Sequence, residues 1–279
     1  MRRVLIAVAV GVALTVGART DAQPPAATPA EIVAQAGRYV DAYIEAFSAV
    51  VSEEKQTQTL VRPDGRVRKT RAITADFLLM KARGTWPEAF RDVIEVDGKL
   101  VRNREDRLKN LFVDRGTKAP QLADAIASES GRYNLGVQRR GNSPMLPIVF
   151  LTSRVAEGVR FEGTASALAF QETRTPTVLG RRRAGGATVN LPAHGTFEIE
   201  PGTGRVLGAE FVAENPDAPY AATFTVRYAI EPRLEINVPV EVTERYWQPA
   251  KPGEDVLEMH ATYASFRRFQ VTTAEQIKK

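Results

Sequence analysis

"ATFTVRYAIEPRLEINVPVEV", residues 222–242, decides the fold. Ala222, Phe224, Val226, Tyr228 and Ile230 share one parity, while Thr223, Thr225 and Arg227 take the other. Beyond Glu231-Pro232 the pattern repeats, with Leu234, Ile236, Val238, Val240 and Val242 on one face and Glu235, Asn237, Pro239, Glu241 and Thr243 opposite. A period of two is that of a β-strand, whose successive side chains point to opposite faces. One apolar and one wet face predict an antiparallel sheet covered on one side only. Pro239 has no N–H for a ladder and predicts an edge or a bulge.

The same texture extends in both directions. In "TFEIEPGTGRVLGAEF" (196–211), Phe197 and Ile199 precede a turn at Pro201–Gly204, and Leu207, Ala209 and Phe211 follow it, predicting a hairpin. In "ITADFLLMKARGTWPEAFRDVIEVDGKLV" (73–101), the run Phe77 to Met80 reads as a strand. Phe90, Ile94 and Val96 then alternate up to Asp97-Gly98, a two-residue hairpin signal. Toward the C-terminus, Leu257, Met259, Ala261, Tyr263, Phe269 and Val271 share a parity that Phe266 breaks and Arg267 invades. The alternation therefore slips near Ser265–Arg267, as at a β-bulge. With that parity kept, Arg267 reaches the rim of the apolar face, where it could meet an anionic head group.

Helical signals lie in two places. Thr28-Pro29-Ala30-Glu31 combines a capping Thr, a Pro at the first helical position and a Glu three residues after the cap. Apolar residues then recur at three and four from Ile32 through Val51, predicting an amphipathic helix that ends near Glu54. Residues 104–155 have helical spacing and few β-branched runs, predicting two or three short helices inserted between sheet segments. Runs of strands with segregated helices make the class α+β: a long, twisted antiparallel sheet with the N-terminal helix and the 104–155 insertion packed on one side.

The chain opens with Arg2-Arg3, an apolar run from Val4 to Val16, then small and polar residues. This is the pattern of a secretory signal peptide over 1–22, too short for a membrane span. A Pro/Ala linker at 23–30 and a single domain over 31–279 follow. The chain contains no cysteine, which fits export and removes disulfides and thiolate metal sites. The net charge of +5 includes four charged residues in the predicted signal; without them the chain is only mildly basic, which argues against nucleic acid as a partner.

No reaction motif appears. The two histidines, His194 and His260, lie outside any H-E-x-x-H pattern, and their surroundings predict solvated side chains. There is no G-x-S-x-G elbow, and Ser52-Glu53-Glu54-Lys55 matches S-x-x-K without its companion motifs. The Gly-rich stretches lack a phosphate-binding frame, and Arg181-Arg182-Arg183 reads as a solvated cationic loop or strand end. The expectation is a protein without catalysis, metal or cofactor.

The three quoted stretches, in this order, resemble in pattern the outer-membrane lipoprotein-sorting carriers and their lipid-sensing relatives. That resemblance implies a periplasmic half-barrel whose concave apolar face holds acyl chains of a lipid or lipoprotein. The residues it places on that face are Phe77, Leu79, Phe90, Ile94, Phe197, Phe224, Tyr228, Ile236, Val240, Tyr263 and Phe269, with Arg267 for an anionic head group. A sheet with one apolar face must cover it with helices or with a ligand. A closed core serving an envelope partner is the alternative, and a hydrolase the third reading.

Overall fold

The computed structural model describes residues 27–48, 50–80, 88–102, 104, 128–135, 144–182 and 188–268. The predicted signal peptide and Phe269 lie outside these residues. Helix α1 runs Pro29–Phe47 and starts as its sequence dictates. The Thr28 hydroxyl accepts from the Glu31 N–H at 3.3 Å, and the Glu31 carboxylate accepts from the Thr28 N–H at 2.8 Å. Those two bonds satisfy donors that a helix N-terminus otherwise leaves unpaired.

The strands are β1 (Val50–Val61), β2 (Val67–Met80), β3 (Glu88–Val96), β4 (Lys99–Leu100), β5 (Val159–Thr164), β6 (Ala167–Glu172), β7 (Arg181–Arg182), β8 (Thr188–Val189), β9 (Ala193–Ile199), β10 (Val206–Ala213), β11 (Ala221–Glu231), β12 (Ile236–Trp247) and β13 (Val256–Arg268). Eleven of them form one antiparallel sheet in the order β4-β3-β2-β1-β13-β12-β11-β10-β9-β6-β5, and β7 and β8 make a separate ribbon. The last strand thus joins the two halves of the sheet by pairing with β1 on one side and β12 on the other. The architecture is the expected α+β, an open half-barrel-like sheet. Between the strands, a 3₁₀ turn at Pro147–Leu151 and a short helix, α2 (Ser153–Ala156), fall within the predicted insertion.

The helix is shorter than its apolar spacing predicts. It stops at Phe47, and residues 50–54, predicted helical, open β1 instead. In β1 the inward positions are Ser52, Glu54, Gln56 and Gln58, all buried, while Lys55 and Thr57 are exposed. A strand polar on both faces has no hydropathy period to read, so tertiary pairing rather than pattern makes it a strand.

Three irregularities set which side chains face inward. Asp97 and Gly98 both have positive φ, 50° and 76°, as a two-residue hairpin turn requires. At Pro239 the β11–β12 register slips: Arg227 lies opposite Glu241 but Tyr228 opposite Pro239, leaving Val240 as the extra residue of a bulge. In β13, Val51 pairs with Arg267 and Glu53 with Ala264, and Ser265, in the slip, has φ 55°. Phe266 is thereby turned into the core and Arg267 out of it.

α1 lies across the inner face and buries Ile32, Ala36, Gly37, Val40, Tyr43, Ile44 and Phe47. Close approach is secured by Gly37, where a Cβ would meet the Leu151 carbonyl oxygen at 2.8 Å, and by Gly204, whose Cβ would meet the Gln35 backbone at 2.7 Å. Beneath it, Phe150 stacks on Phe170, Phe170 on Phe197, and Phe211 meets Phe224 edge-on.

Candidate ligand-binding face

Six of the predicted apolar residues, Phe77, Leu79, Phe197, Phe224, Tyr228 and Tyr263, do meet in one buried cluster on the inner face. All are nearly inaccessible, from 0% exposed at Phe77 to 6% at Tyr228. Ile236 and Val240 are half-buried at its margin. Phe90 departs from the expected face. Arg91 pairs with Phe77, so Phe90, paired with Leu78, points to the opposite face of the sheet. Ile94 is the extra residue of a bulge, because Thr74 pairs with Glu95 and Ala75 with Val93.

Arg267 also leaves the predicted site. Its side chain is 52% exposed and donates to Asp76 at 2.9 Å on the outer face, where Arg104 bridges Asp76 and Asp92. The bulge at Ser265 is the physical reason, since one extra residue inverts the parity of everything after it.

The arginine that does enter the inner face is Arg91, which the sequence reading passed over. Its Nε and Nη2 donate to the two Glu54 oxygens at 2.5 and 3.0 Å, a bidentate pair with both side chains at most 3% exposed. The guanidinium stands 5.2 Å over the Phe77 ring, and the Tyr263 hydroxyl donates to Glu54 at 2.6 Å. Burial disfavours the Arg91 charge, yet Glu54 outweighs it and holds the group above its ordinary pKa. The Tyr263 phenol is pushed well up, first by burial and then by the Glu54 charge. Buried Glu244 accepts from Tyr246 nearby.

Around this ion pair the inner face is polar and is crossed by residues 128–135. Ser130 accepts the Arg91 backbone N–H at 3.1 Å, and Arg71 donates to the Tyr133 carbonyl at 2.6 Å. Gln58 accepts from the Leu135 N–H at 2.6 Å and donates to Asn134 at 2.7 Å. Tyr133 packs on Ile73, Ala75 and Val93, and Leu135 on Leu257 and Met259. This strap therefore spans β3, β2, β1 and β13 and is held by directional bonds.

α1 is held differently. Among the described residues no backbone hydrogen bond joins it to the sheet. Its polar tethers are Gln35 to the Gly202 carbonyl, Ser153 to Asp41 at 2.9 Å, and the Tyr39 phenol, which Arg205 and Asn237 approach. The rest of its attachment is apolar, and burial pushes the Tyr43 phenol well above its ordinary pKa.

His194 is exposed on β9, and His260, half-exposed on β13, meets Glu241 at 2.8 Å; the two imidazoles share no site. Among the described residues no group of three His, Asp or Glu is placed to hold a metal ion, and no helix is long and apolar enough to cross a membrane.

No protein-family model matches the chain, and no curated protein matches its sequence. Similar solved structures exist. A DUF1329 family protein from Desulfovibrio piger is 11% identical with a TM-score of 0.35, covering 89% of this chain and 96% of its own. A putative outer membrane lipoprotein-sorting protein domain from Vibrio parahaemolyticus is 12% identical with a TM-score of 0.33, covering 87% and 95%. A lipovitellin structure described for its lipid–protein interactions is 10% identical with a TM-score of 0.35; the match covers 81% of this chain and 26% of lipovitellin. The second is of the kind that the sequence pattern resembles.

Proposed function

We propose that this chain is an exported, non-catalytic protein of the cell envelope that holds an apolar ligand, a lipid or the acyl chain of a lipoprotein, between α1 and the inner face of its sheet. One observation carries the reading: the aromatic strip Phe170–Phe197–Phe211–Phe224 is capped by Phe150 of the 3₁₀ turn, on which α1 packs at Gly37, and among the described residues neither element has a backbone bond to the sheet. Apolar attraction is non-directional, so an acyl chain can replace the helix's contacts without leaving polar groups unpaired. Displacing α1 without such a replacement would expose the strip to water at about 25 cal/mol per Å².

The near-zero exposure of Phe77 and Phe197 favours a second reading, a closed core whose outer surfaces serve an envelope partner. Cross-linking separates the two. The chain has no cysteine, so Gln35→Cys with Thr203→Cys, joined by a short bis-maleimide, fastens α1 to the β9–β10 turn and to nothing else. Carrier function predicts co-purified lipid by native mass spectrometry, and binding of a fluorescent fatty acid that falls at least tenfold on cross-linking. A lipid-free protein that ignores the probe with or without the cross-link identifies the closed core.

A further inference from the structure

Two buried polar atoms at the interface of α1 with β12 have no hydrogen-bond partner: the Tyr43 hydroxyl and the Asn237 side-chain oxygen. Both residues are almost wholly inaccessible, at 5% and 3%. Such groups are rare in folded proteins, and each costs about 1–3 kcal/mol when left unpaired. Their neighbours are polar but spent. The Asn237 amide nitrogen donates to the Val206 carbonyl at 2.7 Å, and the Tyr228 hydroxyl to the Pro144 carbonyl at 2.5 Å. Tyr39 stacks on Tyr43 with ring centroids 6.0 Å apart. Its phenol, raised by burial, is approached by Arg205 and Asn237.

One partner therefore sits on the helix and the other on the sheet beneath it, beside the aromatic strip. One is a hydroxyl, able to donate or accept; the other is a carbonyl oxygen, able only to accept. The cation that approaches the neighbouring Tyr39, Arg205, is already engaged with Glu200 at 3.5 Å. Burial raises the phenols of Tyr43 and Tyr228, which is to say that the surroundings disfavour charge.

We propose that Tyr43 and Asn237 are the seat for the head of the bound molecule, and that this head is an uncharged hydroxyl-bearing group, as in a monoacylglycerol or a long-chain alcohol. The inference rests on the acyl-binding reading and names the class of ligand within it. A hydroxyl of the ligand donates to the Asn237 oxygen, and the Tyr43 hydroxyl donates to a ligand oxygen. The acyl chain then runs over Phe224 and the neighbouring rings. A carboxylate head finds no free cation among the described residues here and is bound less well.

The test compares 1-monoolein, methyl oleate and oleate on the full chain and on Tyr43→Phe, with thermal unfolding of both proteins without ligand. The expected result is monoolein binding at least tenfold tighter than methyl oleate or oleate, a preference that Tyr43→Phe reduces about tenfold. The same variant unfolds at an equal or higher temperature than the wild type, because it deletes a hydroxyl with no partner. Equal binding of the three probes, or a preference untouched in Tyr43→Phe, overturns the seat while leaving acyl binding intact. A clearly lower melting temperature for Tyr43→Phe also overturns it, by showing that the hydroxyl has a structural partner. Failure of every probe to bind overturns both this inference and the reading beneath it.

Discussion

Beneath the Phe150 turn and the helix α1 packed on it, the inner face presents Phe170, Phe197, Phe211 and Phe224, ring against ring, whereas beneath the 128–135 strap the same face presents Glu54, Gln56, Gln58 and Arg91. Both halves are equally buried, and they are held by opposite physics. Packing of rings tolerates sliding and exchange of partners, because dispersion and apolar burial have no fixed direction. A bidentate ion pair and a chain of amide bonds tolerate neither, since moving one group by an ångström leaves another buried and unpaired. In the carrier reading proposed above, the polar half fixes the register of β1, β2, β3 and β13, and the aromatic half is the one that admits the ligand.

The strongest way to break that contrast is to unpair the polar half. Glu54→Leu leaves the Arg91 charge buried and should cost about 3–5 kcal/mol in denaturant unfolding, whereas Glu54→Leu with Arg91→Met should return to within about 1 kcal/mol of wild type. If the double variant is as unstable as the single one, the pair is not what organises this half. In the aromatic half, Phe197→Ala removes a fully buried ring and should cost about 3–4 kcal/mol, much of it recovered when an acyl ligand is added in excess.

Alkaline titration sharpens the comparison from a third side. Tyr43, Tyr228 and Tyr263 have folded pKa values raised above the ordinary 10.0. The folded state thus keeps protons that the unfolded chain loses. Stability is complete below pH 10 and declines as pH rises above it, at about 1.4 kcal/mol per pH unit for each such tyrosine. Tyr43→Phe should remove one tyrosine's share of that slope without losing a hydrogen bond; a slope unchanged in this variant would mean that Tyr43 ionises normally in the fold. The smallest effect belongs to the outer face: Arg267→Ala loses only a half-exposed pair with Asp76 and should change stability by less than about 1 kcal/mol and ligand binding not at all.

Much of this fold was legible from side-chain parity and turn chemistry. The capping box at Thr28–Glu31, the Asp97-Gly98 turn, the bulge at Pro239 and the slip near Ser265 are all local events, written in the residues that cause them. The misreadings share a different origin. The start of β1 looked like the end of a helix because its inward residues are polar, and Arg91 drew no notice because nothing near it in sequence announces a partner. That partner, Glu54, is 37 residues away, and only the β1–β2–β3 pairing brings the two together. Phe90 and Arg267 went to the wrong face for a related reason: neither the bulge at Ile94, which breaks the parity of β3, nor the side chain that the slip in β13 turns inward can be read from alternation alone. Of the candidate site, the aromatic half was therefore readable and the polar half was not.

Hydrogen–deuterium exchange across α1 tests the central claim most directly. If α1 is a cover, its amides from 29 to 47 exchange through local opening, well before those of β10, β11 and β12, and become protected when monoolein is added. Amides of α1 that exchange as slowly as those of the central strands, and at the same rate with and without the lipid, would contradict it.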